Sequence, residues 1–215
     1  MMNKATKILY LTLGILAGVM GIEHGIGEAL EGYRPTESLF ILSWPDAQFF
    51  EIMAGEPAMT IIPNYLITGL LAIIFSCIFL VEIIMSRPGW KSNILLFTLL
   101  ILMLLTGGGF GPPLTGIIAV LIGMKRDSPL RTWSRLPVKL HNVFSRMWPW
   151  SFGLCLFGWL MLFPGASLIA FFTGMDSELL MTIPILVAFL FIPITQFLGF
   201  SRDIISRRFD LLDLS

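Results

Sequence analysis

Six apolar stretches dominate this sequence and leave it few folds to choose from. They cover residues 8–30, 58–85, 92–107, 112–124, 147–173 and 179–201. A helix that crosses the hydrocarbon core of a bilayer needs about 20 largely apolar residues. The third and fourth stretches, with apolar cores Ile94–Leu105 and Leu114–Met124, fall short of that length. Only 13% of the 215 residues are charged, against 56% hydrophobic, whereas a soluble domain is about 25% charged. A chain this apolar cannot cover its own surface with polar groups, so lipid has to be part of its solvent. The expected fold is all-α, a polytopic transmembrane helical bundle of six membrane segments forming one integral membrane domain over residues 1–215.

Between the two short stretches lies Thr106-Gly-Gly-Gly-Phe-Gly-Pro-Pro113. They are either one broken helix or two passes, and the basic residues decide between these. Lys and Arg in short loops mark the cytoplasmic side of a membrane protein. With two passes the inner side collects Lys4, Lys7, Arg87, Lys91, Lys125, Arg126, Arg131, Arg135, Lys139, Arg146, Arg202, Arg207 and Arg208, and only Arg34 lies outside. With one pass the six cations of residues 125–146 would move outside. The two pieces are therefore expected to form a hairpin in the cell membrane, with its Gly/Pro tip outward and both chain termini cytoplasmic. Nine acids, from Glu23 to Glu56 and at Asp176 and Glu178, fall on the outer side, so the zero net charge hides an acidic outer face and a basic inner one. An acidic mouth raises the local concentration of cations.

The loops carry further expectations. The external loop, 32–57, contains the apolar runs Leu39–Trp44 and Phe49–Met53, and Asp46 suits a helix cap, so a short interfacial helix acting as a lid is expected there. The basic cytoplasmic loop, 125–146, interleaves cations with Leu130, Trp133, Leu136, Val138, Leu140 and Phe144. It reads as a segment lying on anionic lipid, or as a docking surface for a cytoplasmic or membrane partner. Cys77 and Cys155 fall in apolar runs and read as buried thiols, with no disulfide framework. No small-x-small cleavage site follows Met20, so the first stretch reads as an uncleaved helix.

The chemical feature that stands out is Gly21-Ile-Glu-His-Gly-Ile-Gly-Glu-Ala-Leu-Glu31. At about 100° per residue, His24, Glu28 and Glu31 share one helix face. Gly14, Gly18, Gly21 and Gly25 form a small-residue stripe beside it that would admit a neighbouring helix closely. Intramembrane His and Glu are costly and mark functional sites. Together His24 and Glu28 could hold a divalent metal, relay protons, or bind a cationic solute. The bland alternative is that they sit at headgroup depth, since His24 lies about 24 Å along a helix counted from Ile8. The glycine-rich tip, Gly107, Gly108 and Gly109, could bring backbone close to a ligand, and the start of the following helix would present free N–H groups. Asn64 and Gln196 are polar residues within other stretches that would complete a ligand-binding set.

These features favour a solute- or cation-binding or transport subunit with an outward-facing site made by His24, Glu28, Glu31 and the 107–113 tip under a 44–57 lid. A membrane-embedded enzyme using His24 and Glu28 as metal ligands or as an acid/base pair is the second reading, and a structural or assembly protein without a small-molecule site is the third. The chain has no catalytic signature and no nucleotide motif. The bilayer is the expected partner, and nucleic acid is not. In length and topology the chain resembles the small six-helix substrate-binding subunits of vitamin uptake systems, which implies an outer loop over the binding site and a partner to drive uptake.

Overall fold

Helix α1 runs from Lys4 to Leu30 in the computed structural model, which describes residues 2–43, 56–85, 89–174 and 179–212. Two short strands follow, β1 (Phe40–Ser43) and β2 (Glu56–Met59). They pair antiparallel with Phe40 opposite Met59 and Ser43 opposite Glu56. Helices α2 (Tyr65–Met85), α3 (Trp90–Leu105) and α4 (Gly111–Gly123) come next. A single 3₁₀ turn, Trp133–Arg135, precedes α5 (Val138–Leu160). A distorted π turn, Met161–Gly165, joins α5 to α6 (Ala166–Thr173), and α7 (Leu179–Leu212) completes the described chain.

Four of these helical segments are long and apolar enough to cross a membrane: Lys4–Leu30, Tyr65–Met85, the kinked Val138–Thr173, and Leu179–Arg208. The way α2 is packed agrees with a lipid environment. It buries Thr68, Gly69, Ala72 and Ser76, with Phe79 and Ile83 toward its end, while exposing Ile67, Leu70, Ile74, Ile78 and Val81. A water-soluble helix does the reverse, whereas membrane helices put small and weakly polar residues at their contacts. Cys77 lies on this outward face and is exposed, contrary to the expectation of a buried thiol; Cys155 is buried. The two short helices, α3 with 16 residues and α4 with 13, extend about 24 Å and about 20 Å, less than a hydrocarbon core of about 30 Å.

The chain divides into two units, one comprising Tyr10–Leu121 and the other Met1–Leu9 with Ile122–Ser215. In the first, the glycine stripe of α1 faces α2 in antiparallel order. A methyl group on Gly21 would come within 2.5 Å of Ser76 Oγ, and one on Gly25 within 2.7 Å of the Gly69 carbonyl. Gly69 in turn lies against the backbone of Gly25 and Ala29. These glycines let the two helix backbones touch, as small residues do in membrane helix pairs. In the second unit α5 packs along α7, where Gly158 meets the backbone of Ala188 and Trp159 packs on Phe189. There the N-terminus of α1 is capped by a distant residue: the Asp203 carboxylate accepts the Ala5 N–H at 2.7 Å, the Thr6 N–H at 3.1 Å and the Thr6 hydroxyl at 2.7 Å. It thereby satisfies donors that a helix start leaves unpaired.

Three boundaries differ from the sequence expectation. Residues 58–64 are not helical; Ala58 and Met59 belong to β2, and α2 begins at Tyr65, after Pro63, where Asn64 Oδ1 accepts the Ile67 N–H as a helix cap. The basic 125–146 segment is only partly loop, because α5 starts at Val138. The 32–57 segment contains a strand pair, and the helix expected near Asp46 lies outside the described residues.

Candidate functional site

The site is built at the C-terminal part of α1. His24 and Glu28 are one helical turn apart, so their side chains project from the same face, and both are buried, His24 at 3% and Glu28 at 0% exposure. They do not face lipid or open water. Ser43, the last residue of β1, is also fully buried and sits between them. Its burial follows from strand alternation: Phe40 and Leu42 point outward, Ile41 and Ser43 inward.

Ser43 Oγ donates to Glu28 Oε1 at 3.1 Å, and His24 Nδ1 lies 3.4 Å from the same hydroxyl. A serine hydroxyl has one hydrogen to give. With that hydrogen committed to Glu28, the His24 contact requires Nδ1 to be the donor. The direction of donation is thus His24 to Ser43 to Glu28, although the first link is long and weak. The other carboxylate oxygen, Glu28 Oε2, is buried and has no hydrogen-bond partner. Leaving a buried acceptor unsatisfied costs about 1–3 kcal/mol, and more when the group is charged.

The glycine-rich break closes over these side chains. Gly107 and Gly109 both have positive φ, 81° and 72°, a region open chiefly to glycine. A methyl group on Gly107 would overlap the Glu28 carboxylate, and one on Gly109 would overlap the His24 ring at Nε2. Residues 106–109 are all buried, so their backbone needs protein partners. The Gly108 N–H bonds to Met103 O, closing the end of α3 in the manner of a Schellman cap. The Gly107 N–H bonds to Met59 O, the Ile61 N–H bonds to Leu105 O, and Thr60 bridges Thr106. The strand pair thus satisfies the broken backbone while also supplying Ser43. Pro112 and Pro113 occupy the first turn of α4, where a missing N–H costs nothing.

The residues singled out from sequence divide into two groups. His24, Glu28, Gly107 and Gly109 come together, and Gly108 shapes the same turn. Glu31 lies beyond the end of α1 and pairs with Arg34. Asn64 caps α2. Gln196 belongs to the other unit, where its amide donates to Thr6 Oγ1. Ser43 was not anticipated; its only sequence signal is the weak alternation of residues 40–43. The 44–57 lid falls almost entirely outside the described residues.

The donors among the described residues do not make up a conventional metal site. Among the described residues no group of three or more His, Cys, Asp or Glu side chains is placed to hold a metal ion. A catalytic zinc keeps three protein ligands, whereas this cluster offers one imidazole, one carboxylate and a hydroxyl.

No protein-family model matches the chain. No curated protein and no solved structure is significantly similar to it.

Proposed function

We propose that this chain is a six-span protein of the cell membrane with both termini in the cytoplasm. In this reading α3 and α4 are two short passes joined by the buried 106–109 break. The placement of 13 of the 14 basic residues on one side supports it. So does the hydrogen bonding of the break by protein, which lets non-helical backbone lie at membrane depth. Single cysteines introduced at Arg34 and at Arg131, in a background with Cys77 and Cys155 replaced, test it. An impermeant maleimide added to intact cells should label the first and spare the second; the opposite pattern overturns the orientation.

We further propose that the Tyr10–Leu121 unit binds a metal cation or a cationic solute, with Glu28 as its anchor, in a binding or transport role. The observation that carries this is Glu28 Oε2, a buried acceptor on a membrane helix without a partner. A cation arriving there would supply what the protein does not. The exposed cations Lys125, Arg131, Arg135, Lys139 and Arg146 offer a place for a cytoplasmic partner that would drive uptake. The test is thermal unfolding of the purified protein with N-methylglucamine chloride replaced in turn by lithium, sodium, potassium, magnesium and small organic ammonium chlorides. A ligand at 100 times its Kd stabilises the folded state by about 2.7 kcal/mol. At least one cation should raise the Tm of the native chain and not that of Glu28→Gln. Equal shifts in the two proteins, or none with any cation, would refute the proposal.

A further inference from the structure

The start of α5 extends beyond what a bilayer can cover. The apolar segment Val138–Thr173 has 36 residues, or about 54 Å of helix, whereas a hydrocarbon core is about 30 Å thick. The surplus lies at the Val138 end. From the apolar middle of the segment the first cation reached in that direction is Arg146. Trp150, exposed at 79%, marks the aromatic belt beside it. With the segment placed as a span, Leu140 lies about 9 Å beyond Arg146, past an interfacial layer of about 5–8 Å. The exposed side chains of Val138 and Leu140 then face water rather than lipid. The surface they belong to is preformed. Ser201 Oγ of α7 accepts from Trp133 Nε1 at 3.0 Å and lies 3.1 Å from His141 Nδ1, and the Trp133 ring meets Phe197 edge-on.

Helix geometry sorts the outward side chains into two rows. Leu140, Val143 and Met147, spaced three and four residues apart, form one exposed ridge. Lys139 and Arg146, seven residues apart, run beside it and are also exposed. His141 and Trp148 are buried on the opposite side. Among the described residues neither Lys139 nor Arg146 has an ion-pair partner. The surroundings do not neutralise them: residues 125–149 and 199–215 hold nine basic residues against four acids, Asp127, Asp203, Asp210 and Asp213. An apolar ridge with spacing i, i+3, i+7 is the pattern that packs against another helix. Charge complementarity selects an acidic one.

We propose that the start of α5 docks a protein partner through an acidic amphipathic helix, whose apolar side meets Leu140 and Val143 and whose carboxylates meet Lys139 and Arg146. This rests on the reading of a partner at the basic 125–146 segment, and not on Glu28 or the cation bound there.

The full chain in phosphatidylcholine nanodiscs tests it in two ways. A nitroxide at Leu140→Cys, with Cys77 and Cys155 replaced, should collide more with a water-soluble nickel chelate than with oxygen. The reverse order would place the ridge in lipid and overturn the proposal. The second probe is a synthetic amphipathic helix of leucine and glutamate, followed by fluorescence anisotropy with empty discs subtracted. The native chain should bind it at least ten times more tightly than the same peptide with lysine for glutamate. Lys139→Glu/Arg146→Glu and Leu140→Ser/Val143→Ser should each weaken binding at least tenfold, since like charges brought together at an interface are strongly unfavourable. Binding unchanged in both variants but lost in Arg131→Glu/Arg135→Glu would overturn this surface and leave a partner elsewhere on the basic segment. Equal binding of the two peptides, or of neither, would overturn the acidic partner altogether.

Discussion

Ser43 Oγ donates to Glu28 Oε1 across 3.1 Å, joining the end of a short strand to a carboxylate on a membrane helix. Among the described residues this is the hydrogen bond that the Glu28 carboxylate makes; its second oxygen has none. Ser43→Ala removes it and leaves both oxygens of a buried carboxyl unsatisfied. The expected cost is about 1–3 kcal/mol, read as a lower midpoint in a denaturant titration of the detergent-solubilised protein. In the double variant Ser43→Ala/Glu28→Leu most of the loss should disappear, because no orphaned acceptor remains.

The glycine break should be intolerant at two positions and tolerant at a third. Gly107→Ala and Gly109→Ala each force a side chain into positive φ and onto Glu28 or His24. Backbone strain alone costs about 1–3 kcal/mol, and the overlap adds to it. Gly111→Ala meets nothing within 4 Å and should leave the midpoint nearly unchanged. Parallel thermal melts of the three variants make the comparison.

Two further glycines predict opposite signs. A methyl on Gly69 would lie 2.5 Å from the Ala29 nitrogen, so Gly69→Ala must push α1 and α2 apart, at a cost of about 1–3 kcal/mol. Gly153 lies within α5 with nothing near its missing side chain. Gly153→Ala should stabilise by up to about 1 kcal/mol, the difference in helix propensity. The same denaturant titration reads both.

Asp203 caps α1 from the far end of the chain in sequence, with one oxygen taking the Ala5 N–H and the other the Thr6 N–H and hydroxyl. Asp203→Asn keeps one acceptor and loses the other and the charge. A lost cap costs about 0.5–2 kcal/mol. Hydrogen exchange should rise at the amides of Ala5 and Thr6 while the middle of α1 stays protected.

What the sequence reveals of this arrangement depends on how local the cause is. The pairing of His24 with Glu28 is legible because four residues of helix bring two side chains to one face. The glycine stripe is legible for the same reason. The buried break at residues 106–109 is legible as a turn, since only glycine accepts its backbone. Glu31 is not legible in this way, because the helix ends at Leu30. There the chain tightens, with Glu31 and Gly32 bonding to carbonyls three residues back, and Gly32 takes φ of 79°. Ser43 is hidden in the sequence because its partner strand lies across an intervening segment and its alternation spans only four residues. Asn64 and Gln196 look alike in a hydropathy plot, yet one caps a helix and the other binds Thr6; only tertiary structure distinguishes these roles.

Glu28 is the proposed anchor of the cation, and its carboxyl can be probed directly. N,N′-dicyclohexylcarbodiimide couples to carboxyl groups in apolar surroundings, and the modified residue is located by mass spectrometry of a digest. Membranes containing the native chain should be labelled chiefly at Glu28, and the cation that raises the Tm should slow that labelling at least tenfold. A Glu28 that stays unmodified, or is modified at a rate no cation changes, would contradict the account.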